Sequence, residues 1–287
     1  MEPIRVLRPD LVVVDWGPMT LSVRAWAGGK PRPVMAAKAA AHALQLLAQL
    51  ADFQHYLKLD VLDLPRRGRR PAVVAAAAEA CRQVALASGV RLTPLAAVAG
   101  AVAGQVAQAA WNLGADKVVV NNGGDLALRL ALGRRLLVGL PLFPGGPLGH
   151  QLSLRGGDGV GGVATSGWPG RSFSPGVAEQ VAVWGADGAL ADAAATVLAG
   201  ACRVDSPRVT RVPARELDPN TDVPEFMVTT HVDALSDDEA AQALAGGEAL
   251  ARRLLLALPL VGAHFSVSGR KLVITRQAGG GLLARRV

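Results

Sequence analysis

The chain has 287 residues with 51% hydrophobic and 4% aromatic content, so it buries a sizeable core built mostly from Ala, Val and Leu, and general disorder is excluded. The net charge of +7 is dispersed along the sequence. The one dense cluster, Arg66, Arg67, Arg69 and Arg70 between two prolines, has no aromatic or groove-reading element beside it, so it reads as a solvated loop and nucleic acid is not an expected partner.

In chain order, Leu11–Trp16 and Met19–Ala27 predict a β-hairpin around Gly17-Pro18. Residues 34–50 follow a proline and carry helix formers throughout, which predicts a helix. A second helix is expected from Pro71 to about Gly89, and a third from about Leu95 to Leu113, stopped by Gly114. From Asp116 the pattern turns to short apolar runs at 118–120, 126–131, 136–140, 151–154, 160–165 and 181–184, followed by a helix from about Ala189 to Gly200. Helices before and after a meander of strands predict an α+β fold with a mainly antiparallel sheet.

Residues 204–225 contain Pro207, Pro213, Pro219 and Pro224 and read as a surface connector. A strand at 226–232, a helix opened by a Ser236/Glu239 capping box, and a hairpin through Ser268-Gly269 suggest an appended βαββ unit. The expected division is therefore 1–203, a connector at 204–225, and a small unit at 226–287.

The N-terminus lacks a basic stretch followed by a long apolar core, and the Ala-rich segments are short and interrupted. A cytoplasmic protein with no membrane partner is expected, and an Ala/Val-rich helical surface would suit a homodimer. Cys81 and Cys202 lack metal or disulfide spacing, and the five histidines show no ligand spacing. Neither G-x-S-x-G nor a P-loop motif occurs.

Three short stretches carry chemistry. Asn121-Asn122-Gly123-Gly124-Asp125 is either a hairpin turn or a loop whose glycines let backbone N–H groups approach a ligand. Thr165-Ser166-Gly167 ends an apolar strand on two hydroxyls, as a plain strand terminus or an anion contact. Asp192 and Thr196 stand four apart on one helix face, as a favourable charge in a first helical turn or as oxygen ligands for Mg²⁺.

In order and spacing, "AVAGAVAGQVA", "VNNGGDLAL", "GVATSG", "GRSFSPG" and "ALADAAATVLAG" resemble the ApbE family, the FAD:protein FMN transferases. The likeness is closer to a branch of uncharacterised ApbE relatives, through "PLAAVAGAVAG", "LADAAAT" and "RVPARELDP" at 211–219. The resemblance implies an ApbE-like, T-fold-related antiparallel sheet flanked by helices. It implies a pocket for FAD, FMN or a related nucleotide, lined by Asn121, Asn122, Gly123, Gly124, Asp125, Thr165, Ser166, Gly167, Arg171 and Ser172. It further implies Mg²⁺ on Asp192 and Thr196, with a backbone carbonyl near Val102 as a further ligand. Family chemistry would be attack of an acceptor protein's Thr or Ser hydroxyl on the FAD phosphate with release of AMP. Two departures stand out: the family Lys falls at Ala103, and the H-x-x-D-P element is replaced by Arg171-Ser172-Phe173-Ser174-Pro175. Flavin transfer, FAD pyrophosphate cleavage, a catalytically lapsed flavin-binding or maturation factor, and an enzyme acting on another phosphorylated heterocycle all remain open at this point.

Overall fold

The computed structural model describes residues 2–286 apart from Pro144, Arg171 and Ala278. The chain opens with strands β1 (Ile4–Arg8), β2 (Leu11–Trp16), β3 (Met19–Ala27) and the two-residue β4 (Lys30–Pro31). Helices α1 (Pro33–Asp52), α2 (Gln54–Leu57) and α3 (Ala72–Ser88) follow, and a 3-10 turn at Pro94–Ala97 leads into α4 (Val98–Asn112). Next come β5 (Lys117–Asn122), β6 (Asp125–Leu130), β7 (Arg135–Pro141), β8 (Leu148–Arg155), β9 (Gly162–Ser166), β10 (Gln180–Gly185) and α5 (Gly188–Ala201). The C-terminal part holds β11 (Val209–Pro213), α6 (Ala214–Leu217), β12 (Met227–Val232), α7 (Asp237–Ala257), β13 (Leu260–Val267), β14 (Arg270–Arg276) and β15 (Leu282–Arg286).

The main sheet runs β1-β2-β3-β5-β6-β9-β10-β13-β14-β15, with β4 on β3, and every neighbouring pair is antiparallel. The expected α+β class with a mainly antiparallel sheet flanked by helices is the class observed. Helices α1, α4, α5 and α7 cover one face in the order of the strands beneath them, and α3 lies over α4, α5 and α7. Helix α1 is long and apolar enough to cross a membrane by length and composition alone. In this fold its Ala36, Ala39, Ala40, Ala43, Leu46 and Leu50 are buried, and it packs on β2 and β3.

Local rules account for several boundaries. The β2–β3 turn uses Gly17 at φ +56°, α3 ends on Gly89 at φ +75°, and Ser236 and Glu239 close the capping box of α7. Pro71 stands just outside α3 as its flanking residue rather than at the first helical position.

The predicted C-terminal unit requires correction. Strand β13 pairs along its length with β10, so the last hairpin extends the central sheet, and Leu254, Phe265 and Ile274 belong to the same core as Val181 and Leu198. Strand β12 pairs instead with β11, which lies inside the segment read as a connector. The apolar face of β13 meets its partner only through a pairing some eighty residues away in sequence, which local pattern does not reveal.

The other face of the sheet is covered at its centre by the β7–β8 hairpin, which forms its own two-stranded sheet. Val138, Leu140, Leu152 and Leu154 of the hairpin pack with Leu128, Val163, Ala182 and Trp184. His264 of β13 lies beneath this cover, 1% exposed, its ring stacked on His150 of β8 at 5.4 Å between centroids.

Two outcomes are expected from this packing. A Cβ on Gly100 would collide with the Gly188 carbonyl, whereas one on Gly104 meets nothing within 4 Å. Gly100→Ala should therefore destabilise the protein by about 1–3 kcal/mol, and Gly104→Ala should stabilise it by about 0.5–1 kcal/mol, both read by urea denaturation. Burial first, then the charges of His150 and Lys271, hold the His264 pKa down to about 4. That folded value lies below the unfolded value of about 6.5, so the contribution of the neutral ring is complete above pH ~6.5 and is lost as pH falls toward 4. Between about pH 7.5 and 4.5 the wild type should lose roughly 2–3 kcal/mol through this group, and His264→Leu should flatten that part of the slope.

Candidate active site

Where β5 turns into β6, where β9 ends, and where α4 begins, the chain encloses a cavity of about 670 Å³, within the usual range for small-molecule sites. Met19, Leu47, Leu50, Leu95, Val98 and Val102 form an apolar wall, and Gly139, Leu140 and Pro141 of the β7–β8 hairpin close it from the other side. Nine of the predicted residues line it: Asn121, Asn122, Gly123, Gly124, Asp125, Thr165, Ser166, Gly167 and Ser172. Arg171 lies outside the described residues.

The Asn-Gly stretch is a hairpin turn, and it lines the cavity. Asn122 and Asp125 pair across a two-residue turn made by Gly123 at φ +68° and Gly124 at φ +122°. Asn121 Oδ1 accepts the Gly124 N–H at 2.9 Å, and Asn122 Nδ2 donates to the Ala99 carbonyl at 3.2 Å, tying the turn to the start of α4. Asp125 Oδ1 accepts the Thr165 N–H at 3.2 Å and so joins the turn to the end of β9. Strand alternation sends Asn122, Asp125 and Ser166 toward the helices, while Asn121, Thr165 and Gln180 share the face under the hairpin.

Asp192 stands one layer behind this wall. Its Oδ2 accepts the N–H of Gly100, in the first turn of α4, at 2.9 Å. The expected service to its own helix is corrected: α5 starts at Gly188 with Asp187 as its capping residue, so Asp192 is in the second turn and complements α4 instead. Thr196 follows one turn later and is half-buried. Asp192 and Asp125 interact: burial raises the proton affinity of Asp192 well above the usual carboxylate range, the Asp125 charge adds to this, and the Gly100 N–H opposes it. Burial likewise lifts Asp125 to about 6 against the Thr165 N–H. A buried and a half-buried carboxylate, neither paired with a cation among the described residues, and a hydroxyl one turn away make an oxygen-only donor set that suits a hard ion such as Mg²⁺ completed by phosphate oxygens. Among the described residues there is no group of three His, Cys, Asp or Glu side chains placed to hold a metal on their own.

Among the described residues, two polar atoms of the wall have no partner. Ser166 Oγ and Gln180 Oε1 are buried and unbonded, on residues 9% and 3% exposed. Gln180 and its neighbour Glu179 were not foreseen; the only signal was a polar pair at the start of the otherwise apolar strand β10.

The sequence model of the family described as AbpE bacteria matches residues 5–273, in agreement with the resemblance carried by the motifs. Among curated proteins, a UPF0280 protein of Methanopyrus kandleri is 40% identical over 115 residues, 40% of this chain and 45% of the relative. One of Methanothrix thermoacetophila is 40% identical over 114 residues, 39% of this chain and 47% of the relative. The chain spans less than half the length of each of these two relatives. Among solved structures, the flavinyl transferase ApbE of Pseudomonas stutzeri in its apo form is similar at 15% identity and a TM-score of 0.48, over 99% of this chain and 95% of that one. The ApbE protein of Thermotoga maritima is similar at 12% identity and a TM-score of 0.46, over 95% and 96%.

An unpartnered buried hydroxyl is a stability defect that a ligand repairs. Ser166→Ala should leave the ligand-free protein as stable as the wild type or up to about 1 kcal/mol more stable. A loss greater than that in chemical denaturation would show that Ser166 already has an internal partner.

Proposed function

This chain belongs to the family described as AbpE bacteria, and on that premise we propose that its cavity binds FAD or FMN and cleaves the FAD pyrophosphate with Mg²⁺. The FMN part passes to a hydroxyl of an acceptor protein or to water, and AMP leaves. The observation that carries this reading is the unpartnered Ser166 and Gln180 in a cavity of nucleotide size, beside the positive-φ Gly123 and Gly124. The apolar wall of Met19, Leu47, Leu50 and Val98 suits a flat heterocycle, and the exposed backbone of the turn suits phosphate oxygens.

Asp192 and Thr196 would hold the ion, with Asp125 facing it. Bound there, Mg²⁺ would supply Lewis-acid polarisation of the phosphoryl group. The chain's own residues do the rest: Asn121 and Asn122 fix the turn, Thr165 and Ser166 hydrogen-bond the ligand, and the hairpin excludes water.

A second reading, a flavin-binding or maturation factor without transferase chemistry, is favoured by Ala103. That residue stands where the resemblance expects a lysine, and it is fully buried in the core. A third reading, an enzyme acting on a different phosphorylated heterocycle, is favoured by the changed segment around Ser172.

Purified full-length protein titrated with FAD should show a Mg²⁺-dependent change in flavin absorbance and release AMP. FAD at about 100 times its Kd should add ~2.7 kcal/mol of stability. Asp192→Ala should lose the Mg²⁺-dependent part of both signals. Binding without AMP at any acceptor concentration selects the carrier reading. No binding of FAD or FMN, with another heterocycle co-purifying, selects the third.

A further inference from the structure

We propose that Glu179 is the general base that takes the proton of the attacking hydroxyl. This rests on the flavin-nucleotide reading above and gives a residue to the step that reading leaves without one.

Among the described residues only two titratable side chains line the cavity, Asp125 and Glu179. Asp125 lies toward the helices, bonded to the Thr165 N–H and facing Asp192, so it belongs to the phosphate and metal end. Glu179 lines the cavity just before β10, packed against Gly167, whose added Cβ would collide with the Glu179 carbonyl.

The Glu179 carboxylate is held but not neutralised. It accepts the Ser268 N–H at 2.8 Å on one oxygen and 3.0 Å on the other, and the Ser266 hydroxyl at 3.5 Å. Both donors, the Ser268 N–H shared by the two oxygens and the Ser266 hydroxyl, are uncharged, and each oxygen keeps lone-pair capacity for a ligand hydroxyl. Ser268 has φ +49°, the one non-glycine residue at positive φ among the described residues. A serine in this conformation carries strain that surrounding contacts must offset. The fold thus fixes the orientation of one rim carboxylate through a strained turn 89 residues further along the chain.

The surroundings favour a base. Burial raises the proton affinity of Glu179 above its ordinary value, against the Ser268 N–H and the other hydrogen bonds. The groups around it are Ser266 of β13, Ser268 of the β13–β14 turn, Lys271 opposite Ser266 on β14, and Cys202 at the end of α5. Arg270 of β14 is paired with Asp237. The Cys202 thiol is pushed up to about 12 by burial and then by the Glu179 charge, so it stays protonated while Glu179 is ionised.

In the step assigned to it, the hydroxyl of a Ser or Thr side chain, or of water, attacks the phosphorus on the FMN side of the pyrophosphate. An O–P bond forms, the P–O bond to AMP breaks with its electron pair leaving on AMP, and the hydroxyl proton passes to Glu179.

The alternative role of Glu179 is a clamp on the Ser268 turn, and the test separates the two. AMP release from FAD with Mg²⁺ is measured between about pH 5 and 9 for wild type, Glu179→Gln, Glu179→Asp and Ser268→Gly, alongside flavin binding and thermal stability. Glutamine keeps an acceptor for the Ser268 N–H and loses the basic oxygen. We expect Glu179→Gln to bind FAD as wild type does, to release AMP about 10²–10⁴-fold more slowly, and to lose the acid limb of the pH–rate profile. Glu179→Asp should recover part of the rate, and Ser268→Gly, which relieves the turn, should keep the acid limb. A Glu179→Gln rate within about tenfold of wild type with the acid limb intact overturns the proposal, as does a rate loss that merely follows lost stability. Wild type that binds FAD and never releases AMP overturns the base while leaving the flavin-binding reading standing. Wild type that does not bind FAD overturns both.

Discussion

The site depends on a backbone-to-backbone contact between glycines. A Cβ on Gly188 would lie 2.9 Å from the Gly100 carbonyl oxygen, and Cβ atoms on Gly100 and Gly162 would collide with Gly188. The first turns of α4 and α5 and the start of β9 therefore share one point of close approach that side chains would prevent. One turn beyond that point Asp192 reaches the Gly100 N–H. From α4, Ala99 in turn accepts from Asn122 and so fixes the glycine turn of β5–β6. Four segments distant in sequence are locked into one wall because three glycines are bare.

That wall carries polar groups the protein does not satisfy. Proteins pair nearly all buried donors and acceptors, and leaving one unpaired costs about 1–3 kcal/mol. Among the described residues, Ser166 Oγ and Gln180 Oε1 are such groups, on the two sides of the same sheet, and both belong to residues that line the cavity. The neighbouring backbone at Gly123 and Gly124 bends away from the conformations that side chains favour. On the proposed reading, these unmet hydrogen bonds beside positive-φ glycines are the groups a ligand would satisfy.

Much of the fold was legible because its signals are local. The β2–β3 hairpin, the Gly89 stop of α3, the β13–β14 turn and the capping box of α7 each depend on residues within one or two turns of chain. Strand partners are different. The attachment of β13 to β10, and the pairing of β11 with β12 across the supposed connector, are settled by burial between distant segments. The site divides in the same way. The glycine turn and the Thr-Ser-Gly strand end announced themselves by composition, and both line the cavity. Asp192 was noticed as a helix-terminus charge, but the terminus it serves belongs to another helix. Glu179 carried no signal beyond a polar pair at the start of β10, since its side chain is held by the backbone of Ser268 rather than by any neighbour in sequence.

The distribution of charge at the cavity constrains how it can take an anion. Among the described residues, none that lines the wall is cationic, and its two titratable groups are carboxylates that burial drives toward the protonated form. The position where the resemblance expects a lysine is Ala103, closed inside the core, so a side chain there cannot reach a phosphate. On the proposed reading, a pyrophosphate would be met by backbone N–H groups, by the N-terminal end of α4, and by a cation seated between it and Asp125 and Asp192. Such a cation would favour the ionised form of both acids, which burial disfavours, and would make the pair the means of holding the ligand. With no lysine at that position, the burden of anion binding would fall on an exchangeable ion, and affinity at this site would be conditional on metal to a degree that a lysine-bearing site would not be.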